Sequence, residues 1–140
     1  MERLFIGEIL IKRKRITQEQ LEQALEVQKK ENIFVGEILV KLGIIEERDI
    51  VIALVVQCGL PYIAVNKYTI DPEVLKFIPK EVAQKEKVIP LDRIGDVLSV
   101  VMTNPLSDEN KTKLEALTKC RIATFISTKS EIEEAIARHY

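Results

Sequence analysis

The chain has 140 residues, 46% hydrophobic and 31% charged, with five glycines, five prolines and a formal net charge of −1. That composition suits one ordinary domain or two very small ones; it excludes a disordered chain and gives no global attraction for nucleic acid. Cys58 and Cys120 stand in no metal-ligand or disulfide-framework spacing, and no apolar stretch approaches the roughly 18 residues of a membrane span, so neither zinc, signal peptide nor membrane insertion is expected.

From the N-terminus the chain says nearly the same thing twice. FIGEILIKRKRIT (Phe5 to Thr17) returns as FVGEILVKLGIIE (Phe34 to Glu46) after a shift of 29 positions. Phe5/Phe34, Gly7/Gly36, Glu8/Glu37, Ile9/Ile38, Leu10/Leu39, Lys12/Lys41, Ile16/Ile45, Ala24/Ala53, Leu25/Leu54, Val27/Val56 and Gln28/Gln57 are identical pairs. Each copy reads as a short helix, a turn and a longer helix. In the first, Thr17 with Gln20 forms a capping-box pattern, and Leu21, Ala24, Leu25 and Gln28 recur along one helical face. The second copy repeats that face with Ile50, Ala53, Leu54 and Gln57. Its reverse side differs, with Val51, Ile52 and Val55 where the first copy has Glu22, Gln23 and Glu26. A helix apolar all round is covered all round, so these three residues either pack against the rest of the chain or meet another protein.

Gly59-Leu60-Pro61 ends the helical part, dividing the chain into a duplicated helical subdomain (1–60) and an α/β subdomain (61–140). Beyond it the pattern predicts a short strand at Tyr62 to Val65, a helix opening on Asp71-Pro72, and a further helical turn from Pro79 to about Lys85. Strands Lys87 to Asp92 and Val97 to Thr103 follow, joined by Arg93-Ile94-Gly95-Asp96. A helix from about Asp108 to Thr118, a strand Arg121 to Ser127 and a last helix capped by Ser130 with Glu133 complete an α+β chain: a helical repeat of two helix-turn-helix units, then a small α/β sandwich module.

The doubled G-E-I-L-(I/V)-K with A-L-x-V-Q, followed by G-L-P-Y, D-P-E-V-L-K-F-I-P, V-I-P-L-x-R-x-G-D-x-L-x-V, N-P and I-x-x-A-I-x-R-x-Y, resembles the N-terminal domain of type II secretion and type IV pilus assembly ATPases. The resemblance covers essentially the whole chain. It implies a non-enzymatic docking and regulatory role in the cytoplasm, peripheral at the inner membrane through partners. Those partners would be the ATPase core or the cytoplasmic domain of an inner-membrane assembly protein, and Val51, Ile52 and Val55 are one candidate contact surface. No G-x-x-x-x-G-K-(S/T) phosphate loop occurs in the sequence, so ATP hydrolysis is not expected of it. No cofactor or nucleic-acid partner is implied.

In some relatives, the resemblance implies, each repeat reads half of cyclic di-GMP through a unit like R-L-G-x-x-L-x-x-x-G-x-I ending near a glutamine. Carried onto this chain, the arginine positions hold Phe5 and Phe34, the leucine positions Ile6 and Val35, and Gly7, Gly36, Gln28 and Gln57 are kept. The later glycine stands as Gly43 in the second copy and is Lys14 in the first. Losing a bidentate arginine removes about 1–3 kcal/mol of guanine recognition, and here both are absent, so cyclic di-GMP is the alternative ligand of a degenerate site.

Of the remaining features, Lys12-Arg13-Lys14-Arg15 reads as a solvated turn or as an anion site for ligand phosphates or for the acidic inner leaflet. His139, the only histidine, has no ligating neighbour in sequence, and Asn104-Pro105 reads as a turn.

Overall fold

The computed structural model describes residues 6–31, 33–103 and 108–140, so Phe5 and the Asn104-Pro105 turn lie outside the described residues, as do the side chains of Gln57, Cys58 and Asp108. The chain divides into two compact units, Met1–Gly59 and Leu60–Tyr140.

The first unit holds α1 (Ile6–Lys12), α2 (Gln18–Glu31), α3 (Val35–Lys41) and α4 (Glu47–Cys58). The short helix of each copy lies on the long helix of the other, α1 on α4 and α3 on α2, while α1 also touches α3. The duplication is thus an interlocked pair. Its core is formed by Ile9, Leu10, Ala24, Ile38, Leu39, Ala53 and Leu54, all nearly inaccessible.

Each short helix ends in the same reversal. Lys14 N–H donates to Ile11 and Arg15 N–H to Leu10; at the equivalent positions Gly43 donates to Val40 and Ile44 to Leu39. This paired pattern closes a helix through a left-handed residue, and Lys14 (φ +60) and Gly43 (φ +74) supply it.

The long helices open alike as well. Thr17 and Gln20 exchange side-chain and backbone bonds of 2.9 and 3.2 Å, forming the expected capping box. The second copy makes its box from Glu46 and Asp49, with Glu46 N–H donating to Asp49 Oδ2 at 2.8 Å. The two repeated faces are not equally covered: Leu25 is 39% exposed, whereas Leu54, its repeat partner, is 3% exposed.

The second unit carries a three-stranded sheet in the order β1 (Val88–Ile94), β2 (Val97–Met102), β3 (Arg121–Ile126). β1 and β2 are antiparallel and β2 and β3 parallel, the latter joined through α7 (Asp108–Thr118). Because Ile94 pairs with Val97, the hairpin loop is only Gly95-Asp96, shorter than the four residues expected. A two-residue loop needs left-handed backbone at its first position, and Gly95 has φ +61. Pro90 stands in edge strand β1 beside a register shift, where a missing N–H is tolerated.

The helices of this unit are α5 (Pro72–Leu75), capped by Asp71 Oδ1 accepting from Glu73 N–H, α6 (Lys80–Glu86) and α8 (Lys129–His139). The expected strand at Tyr62 to Val65 is instead one parallel bridge, Tyr62 to Ile126, after which the chain turns into a 3-10 helix, Val65–Lys67. Buried Ser127 takes over there, its hydroxyl donating to Ile63 C=O and accepting from Val65 N–H. The last helix starts earlier than expected: Thr128 and Glu131 form the capping box, not Ser130 and Glu133.

Candidate functional site

The candidate ligand residues fall on corresponding sites of the two copies. Ile6 is buried at the start of α1, and Val35 is half-buried at the start of α3. Phe34 directly precedes α3 and is 37% exposed. Gly7 and Gly36 are both buried, and neighbouring side chains occupy the space beside them. A Cβ on Gly7 would lie 2.5 Å from Leu21 Cδ1, and one on Gly36 would lie 3.0 Å from Ile50 Cδ1. Leu21 and Ile50 are themselves repeat equivalents, so each glycine seats the long helix of its own copy. Gln28 donates through Nε2 to Ile33 C=O at 2.9 Å, tying the end of α2 to the inter-copy connection.

The reverse face of α4 is graded. Val51 is 9% exposed and Ile52 half-buried, whereas Val55 is 36% and Val56 58% exposed. Val56 went unremarked in the sequence because it belongs to the repeated pattern through Val27, and only the three-dimensional packing exposes it.

At the first turn, Arg15 reaches Asp49 at 3.5 Å, bridging the end of the first short helix to the start of α4. Beside it Glu46 pairs with Arg48 at 2.9 Å. The side chains of Lys12, Arg13 and Lys14 have no ion-pair partner among the described residues.

In the second unit the polar contacts hold elements together. His139 Nε2 accepts from Ile70 N–H at 3.1 Å and its Nδ1 lies 2.9 Å from Ala135 C=O, so the imidazole clips α8 to the segment before α5. Arg121 holds the Asp96 carboxyl below its usual range at 3.2 Å, joining β3 to the hairpin loop. Tyr62 donates to Glu131 at 2.6 Å, and that bond, with some burial, pushes its hydroxyl up to about 12. Burial alone pushes Tyr140 up to about 12, and its hydroxyl donates to Ile78 C=O at 2.8 Å. Among the described residues no group of three His, Cys, Asp or Glu side chains is arranged to hold a metal ion, and no helix is long and apolar enough to cross a membrane.

A family profile described as the MshEN domain matches residues 58–140, more than half of the chain. The chain belongs to the MshEN domain family. The expected kinship with the N-terminal domains of pilus and secretion ATPases therefore holds. The type IV pilus assembly ATPase PilB of Myxococcus xanthus is 37% identical over 135 residues, which is 96% of this chain and 24% of PilB. PilB of Thermus thermophilus is 31% identical over 137 residues, 96% of this chain and 15% of that protein. This MshEN chain thus spans a quarter or less of the curated relatives it matches.

Two solved structures share its fold from end to end. MshE, solved with cdg (cyclic di-GMP), superposes with a TM-score of 0.78 at 24% identity, covering 99% of this chain and 100% of that one. The N-terminal domain of XpsE superposes with a TM-score of 0.82 at 21% identity, covering 100% and 99%. The α+β class is the observed one, and both matches include the helical repeat that lies ahead of the MshEN profile.

Proposed function

We propose that this MshEN domain is a non-enzymatic docking and regulatory module of a type IV pilus assembly or type II secretion ATPase system, working in the cytoplasm. It couples the motor to the cytoplasmic domain of an inner-membrane partner. The observation that carries this reading is the 37% identity to PilB across 96% of the chain, in a segment amounting to 24% of that ATPase. The contact surface is the outer side of α4, where half-buried Ile52 and exposed Val55 continue into Val56, while Val51 is itself buried. Two adjacent exposed valines present apolar area that a partner removes from water at about 25 cal/mol per Å².

Val55→Asp with Val56→Asp tests it. Both side chains already face solvent, so helical circular dichroism is expected to stay within error. Binding to the purified cytoplasmic domain of the assembly partner should fall at least tenfold, about 1.4 kcal/mol. Unchanged binding by the folded double variant would remove α4 from the interface.

A second reading, a receptor for cyclic di-GMP, is favoured by the match to MshE solved with that ligand. The site would comprise Phe5, Ile6, Gly7 and Gln28 from one copy and Phe34, Val35, Gly36 and Gln57 from the other. An exposed phenylalanine offers a face for base stacking but no donor fork for a guanine edge. Calorimetric titration with cyclic di-GMP is therefore expected to give a Kd weaker than about 1 μM. Phe5→Arg with Phe34→Arg should strengthen it; binding tighter than this by the unaltered chain would make receptor function the leading reading.

A further inference from the structure

The two copies act as an internal control for the basic turn. Between Ile6 and Ile16 stand four cations, Lys12, Arg13, Lys14 and Arg15, against one carboxylate, Glu8, a local balance of +3. The equivalent stretch Val35 to Ile45 has Lys41 against Glu37, a balance of zero. Both stretches nevertheless make the same helix-ending hydrogen bonds, residue for residue. Cations favour a helix C-terminus, yet Lys41 alone suffices in the second copy. Closing the helix does not require the extra charge, and Lys14 holds it in left-handed backbone that glycine occupies in the other copy.

Three of the four cations also lack an ion-pair partner among the described residues. Arg15 pairs with Asp49, and Glu46 with Arg48, so carboxylates at this end of the unit are already engaged. Lys12 and Lys14 are exposed, Arg13 is half-buried, and none has an ion-pair partner among the described residues. The Arg15–Asp49 pair anchors this turn to the start of α4. Long flexible cations without fixed partners suit a diffuse anionic surface. A stereospecific acidic peptide would favour cations already held in place.

We propose that the Lys12-Arg13-Lys14 turn is a contact surface for the headgroups of an anionic phospholipid bilayer. The chain would rest on it without any segment crossing the membrane.

Flotation of the 140-residue chain with vesicles tests this, comparing pure phosphatidylcholine with vesicles containing about one third phosphatidylglycerol. Binding is expected only to the anionic vesicles and should weaken as added sodium chloride shortens the screening length. Lys12→Gln, Arg13→Gln and Lys14→Gln together should lower the partition coefficient by roughly fivefold per residue, on the order of 10²-fold in all. Lys14→Gly keeps the turn intact and should still bind several-fold more weakly, so a fold-preserving variant reads the charge. Equal binding to neutral and anionic vesicles would overturn the proposal, as would full binding by the triple variant. Release by inorganic pyrophosphate well beyond that by chloride of equal ionic strength would reassign the turn to a soluble phosphate ligand. Binding to polyglutamate but not to vesicles would reassign it to an acidic protein.

Discussion

Replacing Lys14 by glycine should stabilise the protein. Lys14 holds φ +60 at the position where its repeat partner is Gly43 at φ +74. For an L-residue the left-handed region costs about 1–2 kcal/mol. Glycine relieves that strain but loses about 0.5–1 kcal/mol through the greater freedom of the unfolded chain. The backbone difference is therefore a gain of about 0.5–1 kcal/mol. Against it stands the favourable interaction of a cation with the end of α1, about 0.3–1 kcal/mol at low salt and screened at high salt. The expected result is a change near zero at low ionic strength and a gain of about 0.5–1 kcal/mol in high salt. Urea unfolding followed by circular dichroism at two salt concentrations measures both. The reciprocal Gly43→Ala repeats this backbone difference without a change of charge or a clash, because nothing lies within 4 Å of the added Cβ; it should destabilise by about 0.5–1 kcal/mol. Lys14→Gly that destabilises in high salt would refute the reading of this residue as strained. If the basic turn contacts lipid, the same substitution strengthens the fold while weakening vesicle binding, two opposite signs from one side chain.

The glycines at the helix contacts should separate under alanine substitution. Gly7→Ala drives a Cβ into Leu21 at 2.5 Å and is expected to lower the unfolding free energy by about 1 kcal/mol after the gain in helix propensity is included. Gly36→Ala meets only the tip of Ile50 at 3.0 Å and should lie within about 0.5 kcal/mol of neutral, so equal effects would show that close packing is not what distinguishes them. The tyrosines fix the alkaline limit. Tyr62 and Tyr140 have hydroxyls raised to about 12 from 10.0 in the folded chain, so their contribution is complete below about pH 10 and lost as pH rises to about 12. Urea midpoints measured across that window should decline, less steeply in Tyr140→Phe; a flat profile would contradict both assignments.

How much of this was legible in the sequence depended on how local each interaction is. The turn between short and long helix in each copy, the Thr17–Gln20 box and the Asp71-Pro72 helix start are all set by residues a few positions apart, and all appear in the structure. Local pattern alone could not choose between Thr128 with Glu131 and Ser130 with Glu133, since both satisfy the capping spacing. Ser127 decides it from a distance: its hydroxyl is committed to Ile63 and Val65 and pins the end of β3, so the helix begins directly after it. The same contact turns the expected strand at Tyr62 into a single bridge.

Leu25 and Leu54 make the limit of repeat reasoning concrete, being identical residues at equivalent positions, one 39% and the other 3% exposed. Identity between copies records common local structure, and difference between surroundings decides what each side chain does with it. The candidate site residues follow the same rule. Gly7 and Gly36 are shared because both long helices need the same close seat. The charge of Lys12 to Lys14, the exposed Leu42 and the valines at the end of α4 are where the copies or their surroundings diverge. Differences that are buried, such as Val51, answer to packing, so only the exposed ones, Lys12, Lys14, Val55 and Val56 among them, are left to answer to something outside the fold. The basic turn and the end of α4 are therefore the places where binding should be sought first.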